Sequence, residues 1–255
     1  MGRPQRGGHL SKITVRPRTK RSVPPAPAPL PPYRPAASPA TLSEKVYRAF
    51  KRDIIRAVFL PGEALSEKDL AGRYRGSRTP VREAAVRLQN ERLLRIVPNR
   101  GYFVSQITLQ VLNDIYEFRS AVECAAAELA AMKGADTATL KTLSDLACVT
   151  CNPGDKESVT RFIEADTEFH VNIARLSRNQ MLIQAVSEAR SQMERIMHAA
   201  IDIHYFGEVP GREHGEIVRA IQERDPECAR QLMYKHIMQS KDKVLGITRF
   251  GSSQS

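Results

Sequence analysis

The sequence predicts a mainly α-helical chain: an N-terminal winged helix-turn-helix of three helices plus a β-hairpin wing, followed by an all-helical bundle. Three observations lead there. Apolar residues recur at helical spacing from Thr41 to about residue 246. One stretch, Leu94 to Val104, breaks that rhythm with two short apolar runs around Pro98-Asn99-Arg100-Gly101. Composition changes near Ala40 and again near Ser105. A chain of 255 residues is long enough for two cores.

Charge follows the same division. Residues 1–40 hold eight Lys/Arg and no acid, residues 41–105 fourteen against seven, and residues 106–255 seventeen against twenty-one, so the net +11 splits into +8, +7 and −4. Basic charge gathered in one globular segment suits a polyanionic partner, because each neutralised phosphate releases counterions; a solubilising surface would give the same excess. No run of eighteen apolar residues exists and the N-terminus lacks a continuous hydrophobic stretch, so neither a membrane span nor a secretory signal is expected, and the chain is expected in the cytoplasm. Cys124, Cys148, Cys151 and Cys228 lie in apolar-periodic segments. They read as reduced structural thiols, since Cys148-x-x-Cys151 has no second pair at zinc-finger spacing.

Residues 1–40 carry ten of the sixteen prolines and read as a disordered basic arm, either holding phosphates loosely or serving as an inert extension. From Thr41, the stripe Leu42, Val46, Phe50, Ile54 and Val58 predicts a first helix that Pro61-Gly62 stops. Ser66 with Asp69 three residues on is an N-cap signal, and Leu65 and Leu70 are placed as a hydrophobic staple, so a short second helix should end near Tyr74. After a turn at Arg75-Gly76, a third helix spans about Ser77 to Arg92, with Pro80 in its first turn and Val81, Ala85 and Leu88 facing inward. Leu94–Val97 and Tyr102–Val104 then form the hairpin. Beyond Ser105, the stripes Leu112/Ile115/Phe118/Val122 and Phe162/Ala165/Phe169/Ile173, with breaks at Gly134, at 152–154, near Asn179, at 209–211 and at 225–226, predict about six helices of bundle type over residues 106–246. Residues 247–255 read as a flexible tail.

Two constellations carry chemistry. Arg78 and Arg82 are four apart on the third helix and share a face opposite its apolar stripe, where each guanidinium can reach guanine O6 and N7; Ser77 and Thr79 offer hydroxyls. Asp166 and His170 are spaced i, i+4 on one predicted helix, Glu164 to Leu176. With His214 and His236 from later helices they make an N/O set suited to Zn, Ni or Mn with a coordination position left over. A capping or hydrogen-bonded surface pair would show the same Asp/His spacing.

The run Leu60-Pro61-Gly62, Leu65 to Ala71, Ser77-Arg78-Thr79-Pro80-Val81-Arg82-Glu83-Ala84 and Pro98 to Val104 closely resembles the GntR family, whose recognition helix and wing-tip Arg-Gly pair contact DNA. The resemblance implies DNA contacts by Lys68, Ser77, Arg78, Thr79, Arg82, Arg100 and Gly101. The chain departs from the family in having Arg75-Gly76 where Gly-Val is usual. Phe118-Arg119 with Glu123, Asp166-x-x-Phe169-His170, Glu213-His214-x-x-Ile217 and His236 resemble the FCD effector domain of the FadR subfamily, an all-helical bundle holding a metal by one Asp and three His above a cavity for a small organic acid. That resemblance implies a divalent ion on Asp166, His170, His214 and His236, and a carboxylate on Arg119. The resulting expectation is a ligand-responsive, dimeric repressor on a pseudo-palindromic double-stranded operator. Its rival is a metal-dependent enzyme fused to a DNA-binding module, which would need an acid or base beside the metal; Glu123 is the one candidate. A nucleoid-packing protein is favoured by the basic arm alone and needs no arginine pair.

Overall fold

The computed structural model describes residues 41–152, 154–199 and 209–251, with Gly2 besides; the expected arm lies outside these residues, as do residues 252–255 of the expected tail. The described elements belong to one compact unit, Ala40–Ser255. In its first part α1 (Leu42–Ile55), α2 (Glu67–Arg73) and α3 (Arg78–Asn90) surround a core of Val46, Phe50, Leu70, Val81, Leu88 and Leu94. Side-chain caps start α1 and α2: Thr41 accepts from the Glu44 amide and Ser66 from the Asp69 amide. Leu65 and Leu70, flanking the Ser66 cap, are both buried in that core, as a hydrophobic staple requires.

The α1 stripe is shorter than its periodicity suggests. The helix ends at Ile55, Ala57 turns left-handed (φ 52°), and the amides of Val58 and Phe59 fold back onto the Asp53 carbonyl. Val58 is thereby turned out (50% exposed), and Phe59 takes its place against Phe50 with ring centroids 5.9 Å apart. In the helix-turn-helix, Arg75 itself takes the left-handed conformation (φ 49°). Gly76 sits where a Cβ would touch the Val46 methyl and the Pro80 ring, at 3.6 and 3.5 Å. The departure from the family pattern thus leaves the turn in place, at a backbone cost of about 1 kcal/mol on Arg75.

Strands β2 (Leu94–Val97) and β3 (Gly101–Val104) form the wing. Arg100 N–H donates to Val97 O, with Pro98 and Asn99 (φ 61°) in the two central places that a type II turn gives to proline and asparagine. A third strand, β1 (Ala64–Leu65), adds antiparallel to β3, giving the order β1-β3-β2. Two residues show no alternation, so β1 has no sequence signature. Gly101 permits it: its φ is +90°, and a Cβ there would stand 2.8 Å from Leu65 O. Gly101→Ala is therefore expected to destabilise the winged part by about 1–3 kcal/mol, through strain and a displaced β1. A urea melt unchanged from the parent's would contradict that.

The second part holds six helices among the described residues: α4 (Leu109–Lys133), α5 (Thr137–Ala147), α6 (Lys156–Leu176), α7 (Gln180–Ala199), α8 (Val209–Gln222) and α9 (Pro226–Gly251). Helix α4 is central, packing on α6, α7, α8 and α9. Four corrections to the sequence reading arise here. The buried face of α4 is Leu112, Tyr116, Arg119, Glu123 and Ala127, while Phe118 is 46% exposed. Polar residues enter the core because Arg119 and Glu123 satisfy each other one turn apart, Nε to Oε1 2.7 Å. Val209-Pro210-Gly211 starts α8 rather than breaking the chain, since a first-turn proline lacks nothing the helix uses; His214 thus lies inside α8. Helix α6 begins eight residues before the expected Glu164, capped by Asp155. Helix α9 runs on to Gly251. Among the described residues no helix is long and apolar enough to cross a membrane, and all four cysteines are free, Cys148 being exposed.

Candidate functional site

Two sites emerge, one on the winged part and one inside the bundle. On the first, α3 projects Arg78 and Arg82, 66% and 64% exposed at the side chain, from its N-terminal turns. Glu67 at the start of α2 ties them together: Arg82 Nε donates to Oε2 at 2.8 Å, Arg78 Nε lies 3.8 Å from Oε1, and Tyr102 OH donates to Oε2 at 3.1 Å. The Arg82 bond, more than any other influence, holds the Glu67 carboxyl below its usual pKa. A groove of about 580 Å³ between α3 and the wing is lined by Glu67, Lys68, Arg78, Arg82, Val97 and Gly101. Ser77 and Thr79 are exposed beside it, the Ser77 side chain making no capping bond, and Arg100 is exposed at the turn of the wing. The fold thus brings Lys68, Arg78, Arg82 and Gly101 to one groove. Glu67, visible in the sequence only as the residue after an N-cap, is the member that sequence reasoning missed.

The second site is buried. Helix α6 supplies Asp166 and His170 from one face, α8 supplies His214 and α9 supplies His236. One donor atom from each lies within 4.8 Å of the others. His214 Nε2 is 3.3 Å from His236 Nε2 and 3.5 Å from Asp166 Oδ1; His170 Nε2 is 3.9 Å from Asp166 Oδ1. Such spacings suit ligands about 2.1 Å from a shared divalent ion. Two further observations support the fit. His170 Nε2 is buried without a hydrogen-bond partner. Carboxylates also stand at the far nitrogens, Glu123 Oε2 at 2.6 Å from His170 Nδ1 and Glu213 Oε2 at 2.7 Å from His236 Nδ1, an arrangement that favours the tautomers whose Nε2 lone pairs are left for a metal.

Arg190 on α7 completes the site by donating from Nη2 to Asp166 Oδ2, leaving Oδ1 to the histidines. Burial pushes the Asp166 carboxyl up, but the Arg190 guanidinium, foremost among the opposing influences, holds it well below the carboxylate range. Burial brings His170 down to about 4 and lowers His214 strongly, with His236 adding to the second effect. Both rings are therefore neutral, the form that ligates metal. Arg190 was missed, although an arginine between Val186 and Met193 on the apolar face of α7 was a visible anomaly. Arg119 lies at the centre of the α4 core, paired with Glu123 and over the Tyr116 ring, with Nη1 unpartnered. Among the described residues, a small cavity of about 10 Å³ touches the set, lined by Ala147, Val149, Phe162, Gly211, Asp166 and His214. It has room for one water at most.

An arginine-bearing helix beside a wing, joined to a helical bundle with a buried Asp/His set, defines a DNA-binding regulator of the winged-helix class. The chain belongs to the gntR family of bacterial regulatory proteins, which residues 42–104 match, and its residues 114–239 match the FCD domain. It is 32% identical over 192 residues to the Nta operon transcriptional regulator of Aminobacter aminovorans, covering 75% of this chain and 89% of that protein. It is 27% identical over 211 residues to the HTH-type transcriptional repressor RspR of Escherichia coli (strain K12), covering 83% and 92%. A crystal structure of a GntR protein from Rhodococcus sp. RHA1 is similar with a TM-score of 0.67 at 27% identity, covering 80% of this chain and 97% of that one. Family membership is consistent with a non-catalytic, DNA-binding regulatory role rather than with the metal-dependent enzyme.

Proposed function

We propose that the protein is a FadR-subfamily repressor that binds a pseudo-palindromic double-stranded operator as a homodimer and is controlled by a small organic acid in the metal-containing bundle. Residues 41–105 read DNA, residues 106–246 bind effector and dimerise, and the protein works in the cytoplasm. The observation that carries this reading is the exposed pair Arg78 and Arg82 at one groove with Lys68 and Gly101. Paired guanidinium forks on the first turns of a helix suit guanine edges in a major groove; Ser77, Thr79 and Arg100 stand where phosphates and the adjoining minor groove would lie. RspR is a repressor by name, as is GlaR of Escherichia coli (strain K12), which supports the sign of control.

In the bundle, Asp166, His170, His214 and His236 would hold a Zn, Ni or Mn ion, which when bound supplies a Lewis-acid anchor for a carboxylate. Arg190 and Glu123 orient the ligands, and the free Nη1 of Arg119 is the second attachment point for the acid. The test is a gel shift with DNA from upstream of the protein's own gene against random DNA at raised salt, with the mass of the complex measured alongside. Selective retention of one fragment by two chains is expected. Equal loss of both fragments, or a monomer with and without DNA, would refute the reading.

A further inference from the structure

A cavity of about 600 Å³ lies at the junction of the winged part and the bundle, within the size range of small-molecule sites and sharing no residue with the Asp/His set. Leu93 and Gln106 line it from the winged side, Ile115 and Phe118 from α4, Ser191 and Arg195 from α7. Arg195 is 2% exposed and, among the described residues, meets no carboxylate: Nη2 donates to the Ser105 carbonyl, Nη1 lies 3.5 Å from Gln192 Oε1, and Nε has no hydrogen-bond partner there. The other buried arginines behave differently, Arg119 pairing with Glu123 and Arg190 with Asp166. A buried guanidinium without a counter-charge is unfavourable. Burial, unopposed by any acid, pulls the Arg195 pKa down to about 10. The carboxylates on the cavity wall are occupied or turned outward: Glu91 pairs with Lys51 at 2.6 Å, and the exposed Asp114 and Glu188 accept from Gln110 and Gln184.

We propose that this junction cavity is a second ligand site, which takes a small aromatic monocarboxylate with its charge on Arg195 and its ring against Phe118 and Ile115. The missing counter-charge of Arg195 selects an anion. Asp114 and Glu188 at the rim disfavour a second negative charge, and the half-exposed Phe118 offers an apolar face to a ring. Because Arg195 also holds the Ser105 carbonyl, where the wing passes to α4, a carboxylate competing for the guanidinium alters how the two parts are joined. The site does not depend on the metal centre, so the two can fail separately.

The chain contains no tryptophan, so Phe118→Trp places a single indole in the cavity wall. Benzoate is the probe, titrated into the full-length protein in the presence of a chelator. A saturable fluorescence change is expected with a dissociation constant on the order of 1 mM or below, which about nine heavy atoms allow at ordinary ligand efficiency. Benzyl alcohol, with the ring and no charge, should bind about tenfold more weakly, as should benzoate on Arg195→Met. Zn in place of the chelator should leave benzoate binding unchanged. No saturable change, equal binding of benzyl alcohol, or binding that appears only with metal would each overturn the proposal. The benzoate and benzyl alcohol comparison decides even if Arg195→Met does not fold, and ligand-detected NMR on the unaltered chain repeats it without the indole.

Discussion

Replacing Arg78 or Arg82 with alanine is expected to weaken operator binding by roughly 1–3 kcal/mol each, about five- to 150-fold, with no fall in thermal stability. Both side chains are more than 60% exposed, and their tie within the protein is to Glu67, a surface ion pair of the kind worth about 0–1 kcal/mol. The core face of α3 is Val81, Ala84, Ala85 and Leu88, which neither substitution touches. Loss should therefore appear as relaxed discrimination between operator and random DNA. Lys68→Ala is the contrasting expectation: loss of a single ammonium charge should weaken binding to all sequences alike and lower the salt slope by about 1. An arginine variant that unfolds, or that still prefers its operator as the parent does, would remove these residues from the reading surface.

The winged part was legible because its signals are local. Ser66 and Asp69 are three apart, Pro98-Asn99 marks its own turn, and the α3 stripe repeats within a few turns. What failed to show depends on distant partners. Strand β1 exists because β3 passes beside it, and Gly101, thirty-six residues after Leu65, is what lets the two approach. The exposed side of α4 was misjudged because a periodic stripe assumes that charged residues face water, and the Arg119–Glu123 pair violates that. At the Asp/His set, i, i+4 spacing placed Asp166 with His170, whereas His214 and His236, twenty-two residues apart on different helices, were grouped with them by ligand type alone, with no spacing to place them. Glu213 is next to His214 in sequence yet serves His236, because consecutive helical positions point about 100° apart.

Removing metal should produce the largest change in the bundle. A divalent ion bound to the folded state alone stabilises it by RT ln(1 + [L]/Kd), about 2.7 kcal/mol at a hundredfold excess over Kd. For a body of this size that corresponds to a fall of about 5–10 °C in melting temperature on chelation, reversed by adding Zn, Ni or Mn back. His214→Ala combined with His236→Ala should abolish this metal-dependent step. The increment is the quantity to read, not the absolute melting temperature, because His214 also stacks on Phe169 with ring centroids 4.0 Å apart and its loss leaves a gap in the core. Operator affinity in the absence of effector should survive the double substitution, since the reading groove is built from α2, α3 and the wing, and the ligands come from α6, α8 and α9. The metal content of the purified protein is the deciding measurement. Less than about a tenth of an equivalent per chain, with a melting temperature indifferent to chelator, would leave the three imidazoles and Asp166 as a buried polar core cluster held by Arg190, Glu123 and Glu213 rather than as metal ligands.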